Sequence, residues 1–248
     1  MHKEEKELRK RDIEKRTLFR ELFDIFSLTG FLYGPLDERL KFRDALEKQL
    51  KKTTPHYRFF IERNFLACLG GITFVLFLIQ VATGVLLLMY YRPTIAEAYN
   101  SIVEITNNIH FGWLVRGMHH WAANVMIITV ILHMTRVFFV GAYKPPRDFN
   151  WLTGMTLLLL TFTFGFSGYL LPWSQISYWA TTVGTDSIGA VPFIGETLRY
   201  FVRGGPQVSQ LALTRFFALH VVILPGVALF CLGLHFLMIR RQGISEPL

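Results

Sequence analysis

Charged residues are absent from four long stretches of this sequence. Residues 65–91, 117–135, 149–185 and 216–239 contain no Asp, Glu, Lys or Arg, and the first stretch is 27 residues long. About 20 apolar residues are enough for a helix to cross the hydrocarbon core of a bilayer, so this absence excludes an ordinary soluble domain. Open strands cannot satisfy their backbone groups in lipid. We therefore predict an all-α membrane protein, a bundle of four transmembrane helices.

Prolines and chain composition set the predicted boundaries. Proline interrupts a helix, so the first membrane helix stops near Pro93, the third stops at Pro172, and the fourth is kinked at Pro225. The predicted membrane helices cover 61–91, 113–139, 150–171 and 209–240, and two short surface helices lie near 174–186 and 193–203. The predicted organisation is a polar N-terminal extension, an amphipathic interfacial segment and a transmembrane domain, at 1–30, 31–60 and 61–248.

Cysteine is also scarce. The chain has two, Cys68 and Cys231, and each falls inside a predicted membrane helix. Two cysteines, each inside a membrane helix, do not indicate a disulfide framework. The sequence contains no Cys-x-x-Cys-His segment, so the usual signature for attaching a c-type heme is missing.

Acidic residues are outnumbered, and the excess positive charge is unevenly placed. The net charge is +8, and residues 1–64 hold 16 Lys/Arg against 12 Asp/Glu. The loop after the second membrane helix and the C-terminal tail are also basic. The positive-inside rule therefore predicts both termini on the cytoplasmic, negative side. Because most of the chain is compatible with lipid, we expect membrane lipid as a partner and no nucleic acid.

Four histidines form two pairs within the apolar stretches. His119 and His133 are 14 residues apart, and His220 and His235 are 15 apart. Each pair spans roughly 21–22 Å of helix and points to roughly one side of it. Ionisable groups are costly in lipid and usually functional there, and neutral imidazole suits heme iron. Two such helices facing each other predict two stacked hemes, each with two histidine ligands.

Glycines repeat at the same spacing on the other two membrane helices. Gly70 and Gly84 lie on the first, Gly154 and Gly168 lie on the third, and each pair is 14 residues apart. Glycine lets a flat macrocycle approach a backbone that a side chain would block. Close packing of small residues between helices is the alternative for each glycine alone, but the set fits two heme planes better.

A family resemblance is carried by five segments: RGMHHWAAN, ILHMTRVF, TRFFALH, LGLHFLMIRRQGISEPL and SGYLLPW. They resemble the cytochromes b of quinol–cytochrome complexes over about residues 33–248. The closer resemblance is to the short, split form, cytochrome b6 of b6f-type complexes and its bacterial relatives. Its second histidine pair is also spaced by 15, and its chain ends after a segment like QGISEPL.

The resemblance implies a role for each histidine of the two pairs. His119 and His220 match the ligands of the heme b on the positive side of the membrane. His133 and His235 match those of the heme b on the negative side. The expected cofactors are thus two bis-histidine b hemes. His120, beside a ligand, is read as a propionate or water partner.

Three arginines match family residues close to the cofactors. Arg116 lies three residues before His119, and Arg136 lies three after His133, so each is on its ligand's helix face. Both match partners of the heme propionates, which are anions that favour a nearby cation. Snorkelling to the interface is the alternative. Arg240 matches a residue near the negative-side quinone site, or it anchors the helix at the interface.

The resemblance also implies a third heme. The segment FLACLGGIT resembles the split-form motif whose cysteine makes a single thioether bond to an extra heme c, so a covalent heme c is expected at Cys68, beside the negative-side heme. The alternative is an ordinary small buried thiol. Cys231 matches no such role and is expected to contribute packing.

The implied function is electron transfer within a quinol:cytochrome c (or plastocyanin) oxidoreductase that also moves protons. The expected partners are quinol and quinone, a Rieske iron–sulfur protein, a c-type cytochrome and a subunit IV-like C-terminal half of cytochrome b, in a homodimeric complex. The chain alone would be incomplete as an enzyme and would hold no catalytic residue by itself. Departures from the chloroplast form favour a bacterial inner membrane.

Two other functions remain open at this stage. A diheme b-type membrane anchor of a dehydrogenase or hydrogenase would also use four histidines, but not the Cys68 motif, the glycine repeats and the surface helices together. A non-redox transporter could use the histidines as a proton relay.

Overall fold

The computed structural model describes residues 68–243, and within that range the chain forms helices joined by turns, without a strand. The predicted N-terminal extension and interfacial segment, 1–30 and 31–60, lie outside the described residues. The helices in chain order are α1 (Leu69–Leu88), α2 (Ala98–Asn107), α3 (Gly112–Phe139), α4 (Asp148–Leu170), α5 (Gln175–Gly189), α6 (Gly195–Arg203), α7 (Gln210–Ala218) and α8 (Leu224–Gln242).

Four of the described helical segments are long and apolar enough to cross a membrane. They are α1, α3, α4 and the continuous segment Gln210–Gln242, which contains α7 and α8. Most of their large apolar side chains face outward, as expected for helices that are surrounded by lipid. The predicted fold class, an all-α bundle with four membrane helices, is confirmed.

The fourth membrane helix is irregular at a functionally important position. A π-helical turn, Leu219–Ile223, joins α7 to α8, and Pro225 lies in the first turn of α8. Proline has no N–H for the carbonyl four residues earlier, and its ring crowds that carbonyl. A wider π turn accommodates this local mismatch. The predicted irregularity at Pro225 therefore takes the form of a π turn, and this turn contains His220.

The membrane helices pack mainly as two pairs, α1 with α3 and α4 with α8. A hydrogen bond from Thr73 Oγ1 to Thr129 Oγ1, 3.0 Å long, ties α1 to α3. Three buried residues, Phe77, Met126 and Ala228, join both pairs in the middle of the bundle. We call these three residues the midplane cluster. They place an apolar layer between the two ends of the bundle.

The segment between the first two membrane helices holds a helix that the sequence analysis did not predict. It is α2, and its buried face is Ala98, Ser101 and Ile105. These positions repeat at helical spacing, so the periodicity was present but spans only 10 residues. The two predicted surface helices are present as α5 and α6.

Tyr91 lies just after α1, and its hydroxyl donates to the Leu171 carbonyl over 2.6 Å. Burial raises the pKa of this hydroxyl.

A buried arginine holds α5 and α6 together. Arg203 donates from Nε to Thr185 Oγ1 and from Nη2 to the Thr182 carbonyl, both at 2.6 Å. Its Nη2 also lies 2.9 Å from Asp186 Oδ1. The arginine is 3% exposed, so these partners replace the water it loses, and the α5–α6 hairpin depends on them.

Substituting this arginine is expected to destabilise the protein. Arg203→Met keeps much of the volume but removes the buried charge and its bonds, which we expect to lower the free energy of unfolding by about 2–4 kcal/mol. Arg199→Met is the matched control, since the Arg199 side chain is 29% exposed against 4% for Arg203. Its ion pairs with Asp186 and Glu196 are therefore solvated, and their loss should cost less than about 1 kcal/mol. Equilibrium denaturation in detergent measures both. Equal losses would contradict this assignment.

Candidate functional site

The two histidine pairs lie at opposite ends of the bundle interior. His119 and His133 project from α3, His220 lies in the π turn and His235 lies on α8. The ring centroids of His119 and His220 are 6.4 Å apart, with an interplanar angle of 69°. A metal ion bound at about 2 Å by one nitrogen of each ring, with the rings on opposite sides of it, places the centroids about 6–6.5 Å apart. This pair is therefore spaced to hold one ion between two imidazoles.

The other two histidines form a second pair at the far end of the bundle. His133 lies on α3 and His235 on α8. A Cβ atom added to Gly154 would lie 3.6 Å both from His235 Cε1 and from Sδ of Met134, the residue after His133. The midplane cluster lies between this pair and the first pair. The structure thus brings the four predicted histidines together as two separate pairs.

Each of the four predicted glycines faces one of these imidazoles. A Cβ atom at Gly168 would lie 2.7 Å from His220 Cε1, and one at Gly70 would lie 3.0 Å from His133 Cε1. The corresponding distances from Gly84 to His119 Cε1 and from Gly154 to His235 Cε1 are 3.4 and 3.6 Å. The sequence predicts that these glycines make room for a flat macrocycle. In the structure they make room for the histidine rings themselves.

Three hydroxyl residues that the sequence analysis missed contact the same histidines. Thr83 Oγ1 lies 2.9 Å from His119 Nδ1, and Ser167 Oγ lies 3.0 Å from His220 Nδ1. Thr153 Oγ1 lies 3.3 Å from His235 Nδ1. A signal for them existed, because each directly precedes one of the repeated glycines.

Cys68 lies at the end of the bundle that holds the second pair. It is the N-cap residue of α1 and comes two residues before Gly70, which faces His133. Its thiol is free and partly buried, whereas the Cys231 thiol is buried. A covalent group on Cys68 would therefore be close to the second pair.

The predicted arginines flank the two pairs along the chain. Arg116 is exposed one turn before His119 on α3, and Arg136 is partly buried one turn after His133. Arg240 is partly buried in the last turn of α8, beyond His235. Cations at these positions lie toward the ends of the membrane helices, where the charged edge of a heme would meet water.

The donor set favours a heme over a bare metal ion. Among the described residues, no group of three or more His, Cys, Asp or Glu side chains could hold a metal ion. A structural zinc ion needs four protein ligands, whereas a heme iron needs only axial ligands from the protein. Two imidazoles per site, backed by glycine and lined by apolar side chains, fit a flat macrocycle. The described residues therefore fit two bis-histidine hemes.

A single added methyl group should discriminate this arrangement from ordinary packing. We expect Gly168→Ala to displace the His220 ring, because its Cβ would lie 2.7 Å from Cε1, at a cost of about 1–3 kcal/mol and with loss of heme from the first pair. Gly165→Ala is the control on the same helix, since its Cβ would meet only Ile127 Cδ1 at 3.5 Å. Heme content and thermal unfolding of both variants are measured. Identical behaviour would contradict the assignment.

Comparisons with known proteins agree on one family. The family model described as cytochrome b/b6/petB matches residues 60–243. Cytochrome b6 of Synechococcus sp. (strain JA-3-3Ab) is 45% identical over 217 residues, covering 88% of this chain and 99% of that protein. Cytochrome b6 of Porphyra purpurea is 46% identical over the same length and coverage.

A solved structure shows the same similarity in three dimensions. A chain of the "Hyperthermophilic respiratory Complex III" aligns with a TM-score of 0.72 and 33% sequence identity. The alignment covers 87% of this chain and 56% of that chain. This chain therefore spans a little over half of its structural neighbour, while it matches nearly the full length of the two curated relatives.

Proposed function

The chain belongs to the cytochrome b/b6 family, and on that premise we propose that it carries electrons across the membrane between two quinone sites of a quinol:cytochrome c (or plastocyanin) oxidoreductase. The observation that carries the proposal is the pair of stacked histidine sites, each backed by glycine, at opposite ends of a membrane bundle. Family membership favours this function over a diheme dehydrogenase anchor or a histidine proton relay.

The four histidines would hold the two hemes b, His119 with His220 and His133 with His235. When bound, each heme supplies reversible one-electron chemistry at its level of the membrane. The protein would keep the two heme sites apart and exclude water from the space between them. The midplane cluster, with Phe74 and Phe164 packed against it, fills the space between the levels with apolar side chains.

Sidedness follows from the charge distribution. The loop between α3 and α4 and the end of α8 carry Lys144, Arg147, Arg240 and Arg241, so this end would face the cytoplasm of a bacterium. His133 and His235 lie toward it along α3 and α8. His119 and His220 would then lie on the positive side, and both termini would be cytoplasmic.

Quinol oxidation would take place at the positive-side end. The helix α5 packs against α4 there, and a Cβ added to Gly184 would lie 2.6 Å from the Phe166 ring. The segment 167–192 would form one wall of the pocket. The other wall would come from a subunit IV-like partner, with a Rieske protein and a c-type cytochrome as electron acceptors in a homodimeric complex. Proton release here and uptake near Arg240 would contribute to a proton gradient.

We further propose that Cys68 carries a heme c by one thioether bond. Its free thiol and its position at the start of α1, near Gly70 and His133, support this assignment. Such a group would extend the electron path at the negative side, close to Arg240.

The test is to purify the complex from native membranes through a tag on this chain. We expect a reduced-minus-oxidised spectrum with a b-type α band, about two hemes b per chain, and quinol-dependent reduction of a c-type cytochrome. Absence of any b-type band in the intact complex would overturn the proposal. Two hemes b without a Rieske centre or quinol oxidation would support a diheme anchor instead.

A further inference from the structure

The outer face of α3 carries a polar side chain at the depth of the hydrocarbon core. Asn124 is exposed, and it lies 12 residues after Gly112 and 15 before Phe139, the two ends of the helix. It is therefore about 18 Å from one end and about 22 Å from the other. This places its amide near the middle of a hydrocarbon core about 30 Å thick, where a polar group without a partner is costly.

The chain itself satisfies only part of this amide. Among the residues that the structure describes, the side chain of Asn124 contacts His120, one turn earlier, with 3.4 Å between Nδ2 and Nε2. A side-chain amide offers two N–H groups and an oxygen with two lone pairs, so most of its hydrogen-bonding capacity is left over. The exposed Thr135 on the same helix differs, because its hydroxyl donates to the Ile131 carbonyl over 2.8 Å. Thr135 is thus compatible with lipid, whereas Asn124 needs a partner from outside the chain.

Asn124 belongs to a stripe that has the spacing of a helix-packing surface. We call this stripe the α3 seam. It advances along the helix in steps of four and three residues, and its members are Gly117, Trp121, Asn124, Ile128, Ile131 and Thr135. Such an alternation is the 3.5-residue repeat with which one helix packs along another, and a single Asn within it fixes the register of the partner helix. Trp121, Ile128 and Ile131 are 68%, 57% and 42% exposed, so the seam is open on this chain.

The shape of the α3 seam favours a partner with a different sequence. A Cβ atom added to Gly117 would have no atom within 4 Å, so the seam is recessed there, whereas the indole of Trp121 projects one turn later. A two-fold dimer about an axis along the membrane normal pairs each residue with its own counterpart. Two copies of α3 would therefore crowd the level of Trp121 and leave a gap at the level of Gly117. A helix with a small residue opposite Trp121 and a large one opposite Gly117 fits both levels.

We propose that the α3 seam binds a transmembrane helix of a different subunit, and that this helix presents an amide, hydroxyl or carboxyl side chain to Asn124 in the middle of the membrane. Side chains of these kinds form the hydrogen bonds between membrane helices. The inference goes beyond the proposed electron transfer and does not rest on it, because it requires only that α3 spans the membrane.

The first experiment identifies the neighbour of the seam in native membranes. A photoreactive phenylalanine analogue replaces Ile128, one turn from Asn124, in a full-length chain that carries an affinity tag. We expect illumination to cross-link this chain to another polypeptide. Mass spectrometry of the adduct should identify a membrane-spanning segment with Asn, Gln, Ser, Thr, Asp or Glu within one turn of the attachment point. Adducts with lipid alone, with a differently tagged second copy of this chain, or with a segment that lacks such a side chain would overturn the inference.

The second experiment removes the amide from the seam. Asn124→Leu should lower the yield of this cross-link by about 5–30-fold, the range for one hydrogen bond between membrane helices in model peptides. Thr135→Val is the matched control on the same seam, since its hydroxyl is already bonded within α3, and it should leave the yield unchanged. The level of each variant in the membrane and its resistance to trypsin exclude misfolding as the cause of a loss.

Equal yields in Asn124→Leu and Thr135→Val would overturn the inference and leave the proposed function standing. A wild-type complex without b-type bands would overturn the proposed function alone, since the cross-links do not depend on bound heme.

Discussion

Replacing His119 with alanine should reduce the b-heme content of the purified complex from about two to about one per chain. The ring of His119 lies opposite that of His220, with centroids 6.4 Å apart, so its loss leaves one imidazole for the positive-side heme. Electrons from quinol would then have no route to the second site. We expect turnover to fall by at least about 100-fold. Pyridine hemochrome and quinol:cytochrome c reductase assays measure both effects.

The neighbouring histidine provides a matched control. His120 is exposed on the next position of α3, and its ring lies 3.4 Å from Asn124 Nδ2. His120→Ala removes an imidazole from the same helix turn without removing a proposed ligand, so two hemes b should remain. A full heme complement in His119→Ala, or equal losses in both variants, would refute the ligand assignment.

Replacing Cys68 with serine should abolish covalent heme binding while both b hemes remain. Serine keeps the size and polarity of the side chain but cannot form a thioether. Heme staining of the denatured polypeptide, and its pyridine hemochrome spectrum after acid–acetone extraction, should show a signal in the wild type and none in Cys68→Ser. The expected change is complete, since a single bond attaches the group.

Cys231 is the control for this experiment. Its thiol is free and buried in α8, and it is not proposed to carry a group. Cys231→Ser should therefore retain the covalent signal. Complete extraction of heme from the wild-type chain would show that Cys68 carries no thioether-bound heme, with the two b sites unaffected by that result.

Some features of the site are visible in the sequence because they repeat along one helix. The charge-free stretches predict the membrane helices, and the spacing of His119 and His133 places two ligands on one side of α3. The glycines repeat at the same interval on the facing helices. These are local patterns with a fixed rise and rotation per residue, so they can be recognised without knowing how the helices pack.

Other features required the packing itself. The sequence places Thr83 directly before Gly84, but it does not show that Thr83 contacts His119, because the two residues lie on different helices and meet only through the register of α1 against α3. Helix α2 was not predicted because its periodic face is short. The π turn at His220 follows from the clash between the Pro225 ring and the backbone carbonyl four residues earlier. The buried bonds of Arg203 likewise connect residues of two helices.

The sequence by itself therefore determined the membrane bundle, and it predicted the four histidines, the four glycines and Cys68 as site residues. The tertiary structure decided which glycine faces which ring, which three rings receive a hydroxyl, and that His133 receives none among the described residues. The physical reason is that helical periodicity depends on neighbours in the chain, whereas the pairing of side chains between helices depends on the register at which their surfaces pack.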